Sequence, residues 1–239
     1  PDRAQRPVIV FERPLGSRIL RSLKQRRSPL SEEQLVRMVI HPVVQGLLEL
    51  RLRRVFHGTI NPFNMFWREG DGNAARAQLG ECATVPPGFS QPVAFETIER
   101  GMAMPAGRGI GSTADDLYAL GVSVLFLLLG ESPGAGLDDR QLLAEKIEKG
   151  SFAALSGDAR VTPLMMEPLR GLLIDNPAQR WTLEDLEMWL NGRRLSPKQS
   201  QAPKRASRPV LIGGNEYWTA RSLSHAMASK PSDANDLVE

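Results

Sequence analysis

The residues able to move protons, hold metals or attack a substrate are sparse in this 239-residue chain, and they converge on one stretch. His57 opens the string His57-Gly58-Thr59-Ile60-Asn61-Pro62-Phe63-Asn64, which sets an imidazole, a hydroxyl and two carboxamides within eight residues. Such groups orient and hydrogen-bond, but none is a carboxylate able to act as a base near neutral pH. No Ser or Cys nucleophile motif accompanies His57, and His41 and His225 read as surface or satisfied polar residues. With Cys82 as the one cysteine, no intramolecular disulfide can form, and no Cys/His set has zinc-ligand spacing. Gly107-Arg108-Gly109-Ile110-Gly111-Ser112 is a glycine-rich stretch ahead of a helix, but it lacks the Lys-Ser/Thr of a phosphate loop and reads as a flexible loop. Asp71, set between glycines, is a turn residue rather than a metal ligand. Trp181 and Trp189 fill core or rim, unless both are exposed, which would mark a partner surface.

The elements that must position this loop follow from periodicity. Val8-Ile9-Val10-Phe11 is β-branched and apolar and predicts a strand, ended by the turn at Pro14-Leu15-Gly16. Ser31 and Gln34 form a capping box, and Leu35, Met38, Val39, Val43, Leu47, Leu48 and Leu52 recur at helical spacing to about Val55. Pro42 should kink that helix. Met65–Trp67 and Ala75–Leu79 flank Gly70-Asp71-Gly72-Asn73, which predicts a hairpin directly after the loop. The stretch from Thr84 to Gly111 is rich in Pro and Gly and reads as irregular. Ser112 or Thr113 caps an apolar helix with Asp115 and Asp116 in its first turn, running to Gly130. Further helices are expected over 139–149, 163–174 and 183–190, then a strand, turn, strand and helix over 210–229.

Composition is that of a globular protein, 41% hydrophobic and 24% charged, which excludes a wholly disordered polymer. The apolar run from Leu117 to Leu129 falls short of the roughly 20 residues needed to span a bilayer. A net charge of +3 hides two basic arms, residues 1–30 and 193–208, each carrying +6 around an acidic body. These arms offer screened attraction to nucleic acid or an acidic membrane surface, but no aromatic residues interleave with the bases, which favours a solvated linker. Single-cysteine usage points to a reduced, cytoplasmic setting. The start at Pro1, with no charged and apolar leader, reads as part of a longer parent chain.

The string from His57 to Asn64, continued by Met65-Phe66, resembles the protein-kinase catalytic loop H-R-D-L-K-P-x-N-I-L. Three more landmarks fall in that family's order. Ala94-Phe95-Glu96 resembles A-P-E, Asp116 to Val122 resembles the D-x-W-S-x-G-V opening of the large buried helix, and Asp175-Asn176-Pro177-Ala178-Gln179-Arg180 is similar to D-P-x-x-R. The resemblance covers about residues 7–191 and implies a mainly α (α+β) fold: a kinase-like C-terminal lobe with a hinge strand and a few short strands, the N-terminal lobe largely absent. A basic Pro/Ser linker over 192–209 and a small tail module, or the start of a further domain, over 210–239 would follow. The resemblance implies that Glu96 pairs with Arg180, and that Asp116 accepts hydrogen bonds from the loop backbone near His57.

The departures shape the functional expectation. Thr59 stands where an active kinase has its catalytic aspartate, Asn61 replaces the phosphate-steadying lysine, and Gly58 replaces the arginine that clamps a phosphorylated activation loop. Asn64 alone matches a cofactor-binding position. The D-F-G position reads as Gln78-Leu79-Gly80 or, one residue on, Leu79-Gly80-Glu81. The resemblance therefore implies a pseudokinase without catalytic residues or resident metal, ATP and magnesium being poorly served, whose H-G-x-I-N-P-x-N loop looks like divergent bacterial sequences. Its expected role is scaffold or regulatory module, with another protein or another domain of the parent chain as partner. Two alternatives stay open: an atypical nucleotide-dependent transferase, for which Asn64 speaks, and a binder of anionic surfaces through the basic arms.

Overall fold

The computed structural model describes residues 10, 12, 14–68, 75–82, 91–195, 204–230 and 232. The strand expected over Val8–Phe11, apart from Val10, which is not in a strand, the turn holding Asp71, and the middle of the basic linker, 196–203, lie outside the described residues. Among the described residues the first strand is β1 (Ser17–Arg18), which the sequence pattern missed; it pairs antiparallel with β2 (Met65–Arg68), and β2 pairs with β3 (Arg76–Leu79). The sheet order β1-β2-β3 leaves β3 at an edge.

Ser31 starts the long helical stretch as a capping box, its hydroxyl accepting from the Gln34 N–H at 3.2 Å while Gln34 Oε1 accepts from the Ser31 N–H at 2.9 Å. After α1 (Glu32–Gln34) the chain widens to a π-helix over Leu35–Ile40 and resumes as α2 (His41–Leu52). The expected kink at Pro42 takes this form for a physical reason. Proline has no N–H for the carbonyl four residues back and its ring crowds that carbonyl. The π register, with His41 N–H donating to Val36 O, relaxes the turn before it and lets Pro42 sit in the first turn of α2. The helix ends at Leu52 rather than near Val55, because Arg54 takes a left-handed φ of 57°.

The stretch expected to be irregular contains 3₁₀ turns at Val93–Phe95 and Pro105–Gly107 and a short helix, α3 (Ile98–Met102). Then comes α4 (Thr113–Leu129), capped by Ser112, with every residue from Asp116 to Leu127 buried, and closed by Gly130 at φ 77°. It is the axis of the core. Leu35, Val39, Val43 and Leu47 pack in the same core, as do Leu169 and Leu172 of α7 (Pro163–Leu172) and Trp181. Trp181 and Trp189 are both buried, so they form no exposed pair. Gly171 is required here, since a Cβ would lie 2.3 Å from the Trp181 ring. Between these come α5 (Asp139–Lys149) and α6 (Ser151–Ser156), the latter not anticipated, and α8 (Leu183–Leu190) follows.

The tail forms a hairpin of β4 (Val210–Ile212) and β5 (Asn215–Tyr217), turned by Gly213 and Gly214 at φ 55° and 79°, then α9 (Ala220–Ser229) capped by Thr219. It touches the body. α9 packs on α5, and Arg221 pairs with Glu99 of α3. Arg205, from the basic arm, stacks over the Trp218 ring at 5.2 Å, so that end of the arm is tied to the tail rather than fully solvated. Among the described residues no helix is long and apolar enough to cross a membrane.

Candidate functional site

The loop from His57 to Asn64 runs between α2 and β2, over the N-terminus of α4. Asp116 reaches it from the first turn of α4, one carboxylate oxygen accepting from the His57 N–H and the other from the Gly58 N–H, both at 2.7 Å. Burial pushes the Asp116 carboxyl up to about 7, and those two N–H donors pull against the rise. Gly58 meets this grip at φ 75°, a conformation that an arginine side chain there would strain.

His57 is itself enclosed. Its Nδ1 accepts from the Thr59 N–H at 3.3 Å and its Nε2 lies 3.3 Å from Gly80 O, which fits the neutral ring with the proton on Nε2. Burial pushes the imidazole down to about 4, so it is uncharged at neutral pH. Its part in the loop is positional.

The three positions where transfer chemistry would sit are turned inward on one another. Thr59 Oγ1 donates to Glu81 O at 3.1 Å and accepts from Asn64 Nδ2 at 3.0 Å, with the residue 7% exposed. Asn61 is a loop staple: its Oδ1 accepts from the Phe63 and Asn64 N–H groups at 3.1 and 3.0 Å, and its Nδ2 donates to Thr59 O at 3.3 Å. Asn64 Nδ2 also donates to Thr59 O at 3.2 Å and to Glu81 O at 2.7 Å. Asn64 Oδ1 packs so closely on Gly80 that a Cβ there would lie 2.1 Å from it, which explains the glycine. The loop carboxamides serve the backbone.

Gln78 lies inside β3, paired with Phe66, while the backbone that meets His57, Thr59 and Asn64 belongs to Gly80 and Glu81. Of the two D-F-G readings, the one that ends at Glu81 is therefore nearer to the loop. Magnesium and nucleotide phosphates need carboxylate and amide oxygens aimed into one space. Thr59 and Asn61 do not fit that need, because the Thr59 hydroxyl donates to Glu81 O and the Asn61 carboxamide is bonded within its own turn, and Asn64 turns its oxygen against Gly80.

The expected pairing of Glu96 with Arg180 is replaced by two separate arrangements. Glu96, 1% exposed, pairs with Arg100 at 2.7 Å and with Arg108 at 3.6 Å. Arg180 instead donates to the backbone carbonyls of Ile174, Ala114 and Asp175, at 2.9, 2.9 and 3.2 Å, beneath the Tyr118 ring. The reason is local: Arg100, in the short helix α3, stands four residues after Glu96, which lies just ahead of that helix. Sequence reading also passed over Lys146. Fully buried in α5, it donates from Nζ to the carbonyls of Val93, Ala94 and Glu96 at 3.1, 3.0 and 2.9 Å and so fastens the segment that bears Glu96.

No family model matches the chain. It is 26% identical over 168 residues to the serine/threonine-protein kinase GRIK2 of Arabidopsis thaliana, a match covering 67% of this chain and 40% of that kinase. A calcium and calcium/calmodulin-dependent serine/threonine-protein kinase of Pisum sativum is 23% identical over 196 residues, 80% of this chain and 36% of its own. Serine/threonine-protein kinase C of the cyanobacterium Synechocystis is 26% identical over 137 residues, 54% of this chain and 24% of its own. The matches thus span two fifths or less of these relatives. The order of the four landmarks, the helical architecture and these matches agree: the chain has a protein-kinase-like fold, a mainly α lobe with few short strands.

Proposed function

We propose that this domain is a catalytically inactive kinase-like module that serves as a scaffold or regulatory protein-binding unit. One observation carries the proposal: the hydroxyl of Thr59, at the catalytic-aspartate position, is both donor and acceptor inside the loop, to Glu81 O and from Asn64 Nδ2. A neutral hydroxyl lacks the negative charge that would take a proton from a substrate alcohol, and its own proton is already donated to Glu81 O. Asn64, the residue that speaks for an atypical transferase, gives its amide N–H groups to the same network and packs its oxygen against Gly80. Losing even one transition-state donor typically lowers kcat about 100- to 1,000-fold. Here base, lysine and metal ligand are compromised together.

The charges retained by the domain lie in its frame, where Asp116, Lys146 and Arg180 hold backbone and Glu96 pairs with Arg100. A fold so maintained presents surfaces. The test is transfer of labelled phosphate from ATP to the chain itself and to generic acceptor proteins, with magnesium or manganese. No incorporation is expected. Metal-dependent incorporation that Asn64→Ala abolishes would replace the scaffold reading by the transferase reading.

A further inference from the structure

The sheet ends on an edge that nothing in the described chain completes. Gly80 N–H donates to Asn64 O at 2.8 Å, which makes 64 and 80 a hydrogen-bonded pair and, by alternation, 66 with 78 and 68 with 76. Met65 agrees, because its carbonyl turns the other way and accepts from Ile19 N–H at 2.9 Å. Ala77 and Leu79 therefore direct their N–H and C=O groups away from β2, and among the described residues no backbone meets them. Alongside runs a cleft of about 390 Å³. Its wall is one stripe of α2, Pro42, Gly46 and Leu50, spaced four residues apart and half-buried. Its rim carries Arg68 and Arg76, directly opposite each other across the hairpin. Like charges so placed repel, and neither arginine has an ion-pair partner among the described residues. Among the described residues no acidic side chain lines the cleft.

We propose that this edge is a docking site for an extended segment of a partner protein, one that alternates apolar and acidic residues and adds to the sheet as a fourth strand beside β3. The pleat dictates the alternation. Side chains of an added strand point in turn to the two faces of the sheet. On the face of Ala77 and Leu79 they meet the Pro42, Gly46 and Leu50 stripe, which takes apolar groups. On the opposite face they stand beside Arg76 and Gln78, with Arg68 behind, which takes carboxylates. Main-chain bonds to Ala77 and Leu79 supply affinity, and the two faces supply selectivity. The proposal rests on the reading of this domain as a protein-binding unit and names the surface and the partner's chemistry.

The test uses the full chain, a short fluorescein-labelled peptide alternating valine and glutamate, and its valine and lysine counterpart. Binding is read by anisotropy and by amide hydrogen exchange. The glutamate peptide is expected to bind and to slow exchange at Ala77 and Leu79, the lysine peptide to bind roughly tenfold more weakly or less, and the Arg68→Glu/Arg76→Glu variant to reverse that order. Both arginines are exposed, so the variant should keep the parent's melting temperature. Equal binding of the two peptides, or binding without protection at Ala77 and Leu79, would overturn the proposal. So would protection already present without peptide: if independent of protein concentration, the chain covers its own edge, and if rising with it, a second copy does. Phosphate transfer by a chain that still shows the peptide response would sink the inactive-kinase reading alone.

Discussion

Two polar regions meet at the first turn of α4 and are built on opposite plans. On the frame side, Asp116, Arg180 and Lys146 are buried charges, and each spends its charge on backbone: two N–H groups, three carbonyls and three carbonyls respectively. On the loop side, Thr59, Asn61 and Asn64 are neutral and bond to one another and to their own turn. Buried charge is expensive unless fully paired, so it persists where removal would leave several backbone groups unbonded. A catalytic loop also needs charge, but there it stays unpaired until substrate arrives. Its absence from the loop, beside its presence in the frame, separates holding a fold from doing chemistry on it.

The frame is where that comparison is easiest to break. Arg180→Ala would remove the side-chain donor from three carbonyls, of which Ile174 O and Asp175 O lie outside any helix, and uncover the face of Tyr118. Each stranded group costs about 1–3 kcal/mol, so a loss of roughly 3–5 kcal/mol is expected, a large share of the ~5–15 kcal/mol of an ordinary domain. Arg180→Lys should rescue little, since an ammonium cannot reproduce the planar fork. Lys146→Met removes the donor from three carbonyls too, but Val93 O keeps the Glu96 N–H and a desolvated ammonium is relieved, so it should fall short of Arg180→Ala, at about 1–3 kcal/mol. Urea denaturation of the three variants orders them. An Arg180→Ala chain as stable as the parent would dissolve the distinction between frame and loop.

A pH series sharpens the same contrast with smaller effects. Burial holds the Lys146 ammonium down to about 7, against 10.5 in an unfolded chain. Between those values the unfolded state binds the extra proton, so stability should rise as pH climbs from about 7 to 9. Above that range the Cys82 thiol and the Tyr118 hydroxyl, both pushed up by burial, work in the opposite sense. On the acid side two groups oppose each other. Asp116, raised to about 7, makes stability fall as pH rises from about 4 to 7, while His57, lowered to about 4, makes it rise from about 4 to 6.5. A nearly flat acid limb and a rising limb from pH 7 to 9 are expected in denaturation midpoints. A falling limb there would show that Lys146 is not desolvated.

What could be read from the sequence was local. The Ser31 box, α4 with its Ser112 cap and Gly130 stop, α8 and the glycine turn of the tail all depend on residues within a few positions of one another. α6 was not anticipated: Gly150 both ends α5 and starts the next helix, so no loop separates the two. β1 is two residues long and exists through its pairing with β2, where Ser17 meets Trp67 and Arg18 meets Phe66. Lys146 looks like one more charge on a polar helix until the Val93–Glu96 backbone, over 50 residues distant, closes on it. The partner of Glu96 was legible after all, since Arg100 at i+4 is a visible spacing, and the family analogy to Arg180 obscured it. The inward-turned loop was not legible: composition shows that Thr59 lacks charge, but only the bonds to Glu81 O and Asn64 Nδ2 show that it is already engaged.

The smallest expected effects lie in the loop. Thr59→Ala removes one partly buried hydroxyl and its bonds to Glu81 O and Asn64 Nδ2, and Asn64 retains Thr59 O and Glu81 O as acceptors. A neutral hydrogen bond contributes about 0.5–1.5 kcal/mol, so the variant should lose about 1 kcal/mol. Gln78→Ala, on the outer face of β3, should lose less. Neither should change peptide capture at the β3 edge by more than about twofold, because the backbone groups that face the edge belong to Ala77 and Leu79. Thr59→Asp is the informative companion. It restores a carboxylate at the catalytic position but sets it against Glu81 O and the buried Asp116, so it should destabilise without producing phosphotransfer. If Thr59→Asp instead melted like the parent and incorporated phosphate from ATP, the loop would be one residue from chemistry, and the division between a charged frame and a silent loop would rest on Thr59 alone.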